Sequence, residues 1–173
     1  MLKLMLLRHA KSSWADSTLA DHDRPLNNRG RRGAEAMGLY MASKGLLPAR
    51  ILCSTAQRTR ETLELLSRGL TYEAQPEFLQ DLYDFGDGDE LIDIIRRQGG
   101  ATSPLLVIGH NPAIEGAALS LAAPDESQER ARMARKYPTA GLTVLTFDAE
   151  SWDRIEPGTG QLVSFTVPAD LGI

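Results

Sequence analysis

Leu2-Lys3-Leu4-Met5-Leu6-Leu7-Arg8-His9 is the stretch whose reading decides the fold. Residues 1–7 are apolar apart from Lys3, and the run stops abruptly at two basic residues. No cleavage site of small residues follows, so the segment does not read as a signal peptide. A short continuous apolar run is the mark of a strand covered on both faces, as in a parallel sheet flanked by helices.

Working outward, the same pattern recurs. Ile51–Cys53 and Leu105–Ile108 are two more short apolar segments. Between them lie stretches of helical periodicity. Residues 28–44 carry Ala34, Met37, Gly38 and Met41 on one face, with Asn27 or Asn28 to cap the start and Gly45 to end it. Ser54 with Gln57 forms a capping-box pattern that opens a helix to about Arg68, closed by Gly69. Glu90–Arg97 is a third helix, and Asn111-Pro112 reads as an N-cap with proline at the first helical position of a fourth, ending near Leu121. Residues 70–80 suit a short edge strand, and Pro124–Lys136 suits one more short helix. Gly141–Phe147 and Gln161–Val167 alternate like adjacent strands. Strand–helix alternation predicts an α/β fold, a three-layer α/β/α sandwich with a mainly parallel central sheet.

Composition narrows the function classes. The chain has 173 residues, with 19 Lys and Arg against 23 Asp and Glu, a formal net charge of −4. Apolar residues are 42% and charged residues 24%, ordinary for one globular domain, here expected to span residues 1–173. An acidic chain does not suit nonspecific nucleic-acid binding. No window approaches the roughly 18 apolar residues of a membrane-spanning helix. The lone cysteine, Cys53, precludes an internal disulfide framework and fits a reducing compartment, so a cytoplasmic location is expected.

In such a sheet, ligands bind beyond the carboxyl ends of the strands. The residues there are Arg8 and His9 after the first strand, Ser54 and Thr55 with Arg58 after the second, and His110 after the third. Two arginines and two histidines therefore converge on one edge of an otherwise acidic protein. That arrangement suits a compact dianion, and phosphate is the first candidate. Arginine forks stabilise charge spreading over phosphoryl oxygens. A neutral histidine among them is a nucleophile if its other ring nitrogen is held as a donor, for instance to a backbone carbonyl. The second histidine is expected to bind the phosphoryl oxygens as a cation. Such a site requires no metal or other cofactor, because arginine and histidine supply the positive charge.

Leu7-Arg8-His9-Ala10-Lys11-Ser12 resembles the motif that names the histidine phosphatase superfamily, the phosphoglycerate-mutase-like proteins. Arg24-Pro25-Leu26 with Gly30, Cys53-Ser54 with Arg58 and Thr62, Val107 through Pro112, and Pro138-Thr139-Ala140 extend the likeness from residue 4 to about residue 168. Within the superfamily the chain resembles the short SixA-type phosphohistidine phosphatases. The resemblance implies that His9 accepts the phosphoryl group and that Arg8, Arg58 and His110 complete the pocket. Ser12 stands where relatives often have threonine, and Lys11 adds positive charge, so both are candidate substrate-binding residues. Ala10 replaces the motif glycine, which matters only if that backbone needs positive φ. Ala15 replaces an asparagine common in the mutases and sugar-phosphate phosphatases.

The departure with chemical consequences concerns the general acid. Many relatives place a glutamate four residues before a glycine in the loop after the second helix; counting back from Gly86 gives Leu82. Asp81 and Asp84 nearby are the possible acids. An alkoxide leaving group needs a proton, worth about 10²–10⁴-fold in rate. Protonated phosphoimidazole leaves as neutral imidazole and needs less help. The expected function is therefore metal-independent hydrolysis of phosphohistidine on proteins through phospho-His9. The chain also lacks the long insertions that roof the mutase site, which would leave the crevice open to a protein surface. The alternatives are a phosphatase or mutase for small phosphorylated metabolites, and a non-catalytic module that binds phosphoproteins. Metal binding by His9, His110, His22 or Asp23 is disfavoured by the absence of HxxxH or HxH spacing and by the flanking arginines. Cys53, inside an apolar strand, reads as structural rather than nucleophilic. Trp14 and Trp152 are read as packing at a loop and an edge, with Trp14 also able to face a substrate.

Overall fold

A computed structural model describes residues 1–173. Its strands are β1 (Leu2–Arg8), β2 (Arg50–Ser54), β3 (Glu77–Leu79), β4 (Leu105–Gly109), β5 (Leu142–Phe147) and β6 (Gln161–Thr166). Its α-helices are α1 (Asn28–Ser43), α2 (Gln57–Gly69), α3 (Asp89–Gln98), α4 (Ala113–Leu121) and α5 (Gln128–Arg135). The strands form one sheet in the order β3-β2-β4-β1-β5-β6. The first four are mutually parallel; β5 joins β1 antiparallel, and β6 closes the sheet antiparallel to β5.

The apolar run of β1 is explained by its two covered faces. Leu2, Leu4 and Leu6 pack with Leu52, Leu105, Val107 and the buried residues of α3 and α4. Met5 and Leu7, on the opposite face, pack with Ile51, Cys53, Leu106 and Ile108 against Met37 and Met41 of α1 and Leu63 and Leu66 of α2. Period-two alternation thus divides one uninterrupted run between two cores, each large buried side chain contributing about 1.5–3 kcal/mol. The outcome is the expected helix–sheet–helix sandwich. Trp152 is no edge residue: it is fully buried in the α3–α4 core, its Nε1–H donating to Thr102 O at 2.8 Å.

Helix ends follow local chemistry, with two corrections. Asn27 caps α1, its Oδ1 accepting from Gly30 N at 2.8 Å, and Gly45 past its end takes φ +66°. Ser127 caps α5 in the same way. Ser54, however, is not the cap of α2; it is the last residue of β2, and α2 starts at Gln57 after Ala56. Its hydroxyl is taken by His110 instead. Pro112 lies before α4 rather than at its first position, and Asn111 caps from one residue further out, its Oδ1 accepting from Glu115 N at 3.2 Å.

Register places the strand ends side by side. Arg8 is opposite Gly109, and Ile108 is opposite Cys53, so His9, Ser54 and His110 leave the sheet at one edge.

Candidate active site

Arg8 ends β1 and His9 begins the loop beyond it. The turn is fixed by Ala140, whose N–H donates to both Arg8 O at 3.0 Å and His9 O at 2.9 Å. Ala140 has φ +58°, an unusual conformation for alanine that this double contact holds. Ala10, by contrast, does not have positive φ, so alanine fits in place of the motif glycine. Its N–H donates to Thr62 Oγ1 at 3.0 Å, tying the loop to α2.

The His9 ring is 7% exposed. Its Nδ1 lies 2.7 Å from Ala10 O. A carbonyl only accepts, so Nδ1 carries the proton and the Nε2 lone pair is left free. Burial pushes the pKa of His9 down to about 3; the bond to Ala10 opposes this, and the positive charges of Arg58, Arg8 and Arg24 reinforce it. The ring is therefore neutral at ordinary pH.

Arg58, 3% exposed, rises from the first turn of α2. Its Nη1 donates to Asp21 O at 2.7 Å and its Nη2 to Asp21 Oδ2 at 3.0 Å. Arg8 donates through Nη1 to Tyr137 O at 2.8 Å, while its Nε is buried without a partner. His110 lies with its ring centroid 5.3 Å from that of His9. Its Nε2 pairs with Ser54 Oγ at 2.8 Å and its Nδ1 is buried and unpartnered. Burial, then His9 and Arg58, press its pKa to about 2, against the opposing pull of Asp21. Burial, His9 and guanidinium charge thus favour the neutral His110 ring, and its expected cationic role requires the negative charge of a phosphoryl group beside it.

The remaining expected residues take different places. Ser12 is buried, and its Oγ accepts from Arg24 Nη2 at 2.6 Å. Lys11 is exposed and lines a cavity together with Arg8. Leu82, at the position of the relatives' glutamate, is buried in the core. Asp81 is exposed, and Asp84 accepts from Gly86 N at 2.9 Å; neither bonds a histidine or arginine of the site. Cys53 is fully buried, and burial pushes its thiol up to about 12, in keeping with a structural role.

Several site residues were absent from the sequence expectation. Arg24, 7% exposed, belongs to the cluster: it donates to Ser13 O, Ser12 Oγ and Asp21 Oδ1 and lies 3.2 Å from the centroid of the exposed Trp14 ring. Arg24-Pro25-Leu26 carries part of the family resemblance, but Arg24 sits in a loop with no strand-end signal. Asp21 gathers Arg24, Arg58 and the Tyr83 hydroxyl, the last at 2.5 Å. Burial acts to raise the Asp21 pKa, but these three hydrogen bonds outweigh it and hold the carboxyl well below the usual carboxylate range. Tyr83 meets His110 edge to face and Phe85 packs on it at a tilt, forming an aromatic wall. No group of three His, Cys, Asp or Glu side chains is close enough to hold a metal ion.

A buried neutral imidazole ringed by three guanidinium groups, at the carboxyl edge of a parallel sheet, defines a protein built to handle phosphoryl groups. A sequence model of the histidine phosphatase superfamily (branch 1) matches residues 4–91, and the chain belongs to that family. An uncharacterized protein of Mycobacterium tuberculosis is 39% identical over 166 residues, which cover 94% of this chain and 99% of that protein. A Nakamurella multipartitia structure provisionally assigned as phosphohistidine phosphatase SixA superposes with a TM-score of 0.80 at 30% identity, covering 96% of each chain. Its Agrobacterium tumefaciens counterpart, likewise provisionally assigned, gives 0.79 at 28% identity over 96% of this chain and 98% of that one. No helix is long and apolar enough to cross a membrane.

Proposed function

We propose that this phosphatase works through a phosphohistidine intermediate on His9 and that its substrate is phosphohistidine on a protein. The observation that carries the reading is the His9 ring itself: Nδ1 held by Ala10 O at 2.7 Å, and the pKa driven down to about 3 by burial and arginine charge. Nε2 attacks phosphorus as the bond to the leaving group breaks. Positive charge then builds on the His9 ring and is stabilised by the Nδ1–H···O=C bond. Arg8, Arg58, Arg24 and His110 surround the transferred group, and its negative charge favours protonation of His110 on binding. Water then attacks phospho-His9, releasing phosphate and restoring the neutral ring.

The choice of leaving group rests on the carboxylates. Asp21 is kept ionised by its three donors, so it is a poor proton source. Asp81 and Asp84 form no hydrogen bond with a histidine or arginine of the site, although the Asp84 Oδ2 is buried without a partner. A site without a placed acid favours P–N over P–O cleavage. The test is to trap the phosphoenzyme with phosphoramidate under neutral quench. Wild type is expected to label and His9→Ala to lose the label completely; an unlabelled wild type sinks the mechanism. Turnover of a phosphohistidine peptide should exceed that of sugar phosphates by at least about 10²-fold. A preference for esters overturns the substrate assignment and leaves the nucleophile standing.

A further inference from the structure

Next to the His9 site lies a cavity of about 330 Å³. Arg8 and Ala10 form the wall nearest His9, and Lys11, Arg29 and Lys136 line the rest together with small residues of α1 and the Thr139–Ala140 turn. Its lining holds four cationic side chains and no acidic side chain, and Ile173, the last residue of the sequence, lies at its wall as well. None of the four forms an ion pair, although nine such pairs exist elsewhere in the molecule. The three outer side chains make no hydrogen bond, and the Arg8 Nε is buried and unsatisfied. Lys11, Arg29 and Lys136 are exposed, so water screens much of their mutual repulsion, but an anion in the cavity meets positive charge from several sides in a chain of net charge −4.

We propose that this cavity is a second anion subsite, which receives an acidic side chain flanking the phosphohistidine of the substrate protein. The inference rests on the phosphatase reading above and deepens it. Arg8 is the bridge, since it faces both the phosphoryl position and the cavity. A substrate carrying Asp or Glu near its phosphohistidine engages both sites at once, and one without such a residue engages only the first. The small lining residues leave room for a carboxylate to approach Arg29 and Lys136. A uniformly favourable contact of this kind lowers KM and leaves kcat alone.

The test compares two phosphohistidine peptides, one with aspartates flanking the modified residue and one with alanines there, alongside phosphoramidate. Wild type is expected to show a KM about tenfold lower for the acidic peptide, at equal kcat. The Arg29→Ala/Lys136→Ala double variant should erase that difference, with phosphoramidate turnover unchanged as the sign of an intact fold and catalytic centre. Equal KM values in wild type, or a preference that survives in the double variant, overturn the subsite while phosphoramidate turnover upholds the phosphatase reading. Absence of phosphoramidate turnover in wild type overturns that reading, and the subsite with it.

Discussion

Asp21 gives one carboxylate to both buried arginines. Arg58 donates Nη2 to it, with Nη1 on the Asp21 backbone carbonyl, and Arg24 donates Nη1, so a phosphate entering the site competes with an internal anion for the same forks. Replacing Asp21 by asparagine keeps the shape and removes one negative charge. Two unit charges about 6 Å apart at an intermediate effective dielectric interact by about 1.4 kcal/mol, or tenfold in affinity. Asp21→Asn is therefore expected to bind inorganic phosphate roughly tenfold more tightly, read as a lower inhibition constant against phosphoramidate turnover. Weaker phosphate inhibition would mean that the carboxylate aligns the guanidinium groups more than it opposes the ligand. Nothing in the sequence marks Asp21 out, because it lies in a polar loop without periodicity and acquires its partners only when residues 24, 58 and 83 converge.

At the scale of the elements, the site depends on how closely α1 approaches the loop after β1. Asn27 N–H donates to Lys11 O at 3.0 Å, and a Cβ on Gly30 would lie 2.0 Å from that same oxygen. The clash is with backbone, so Gly30→Ala must push the helix and the His9–Lys11 loop apart. The expected result is a loss of about 1–3 kcal/mol in urea unfolding, together with slower phosphoenzyme formation. Gly33→Ala, one turn on, is the control: its nearest neighbour would be 3.7 Å away, and alanine should leave both measurements unchanged or improve stability slightly. A Gly30→Ala protein as stable and as fast as wild type would show that the contact is slack. The elements themselves were largely legible. The runs at Leu2–Leu7, Ile51–Cys53 and Leu105–Ile108 announced doubly covered strands, and the residues following them announced the site. Cap chemistry was less so, because Ser54 and Asn111 carry the same local signal whether they serve a helix or, as Ser54 does, a histidine from another strand. Arg24 and Tyr83 were missed for the corresponding reason, since both enter the site from loops whose course is set by tertiary contacts.

For the whole molecule, the chemistry of the site sets a condition on stability. Folding moves His9 from the usual 6.5 to about 3 and His110 from 6.5 to about 2, chiefly through burial. Between those limits the unfolded chain binds protons that the native protein refuses. Stability must then rise with pH across the window and fall as the solution is acidified below pH 6.5. Above it both states are neutral at these positions and the contribution vanishes. At pH 5 each histidine costs about 2 kcal/mol, a sizeable part of the roughly 5–15 kcal/mol typical of a domain. Asp21 acts in the same direction at lower pH, because its depressed carboxyl loses its ion pairs only once it is protonated. Urea unfolding at pH 7 and pH 5 should therefore show a marked drop for wild type. His9→Asn and His110→Asn should each halve that drop, whatever they do to stability at pH 7. The prediction separates charge from packing: a cavity or a lost contact shifts both pH values equally, whereas only a titrating group changes their difference. Identical differences in wild type and both variants would mean that the rings accept protons in the folded state, and a protonated His9 has no lone pair with which to attack phosphorus.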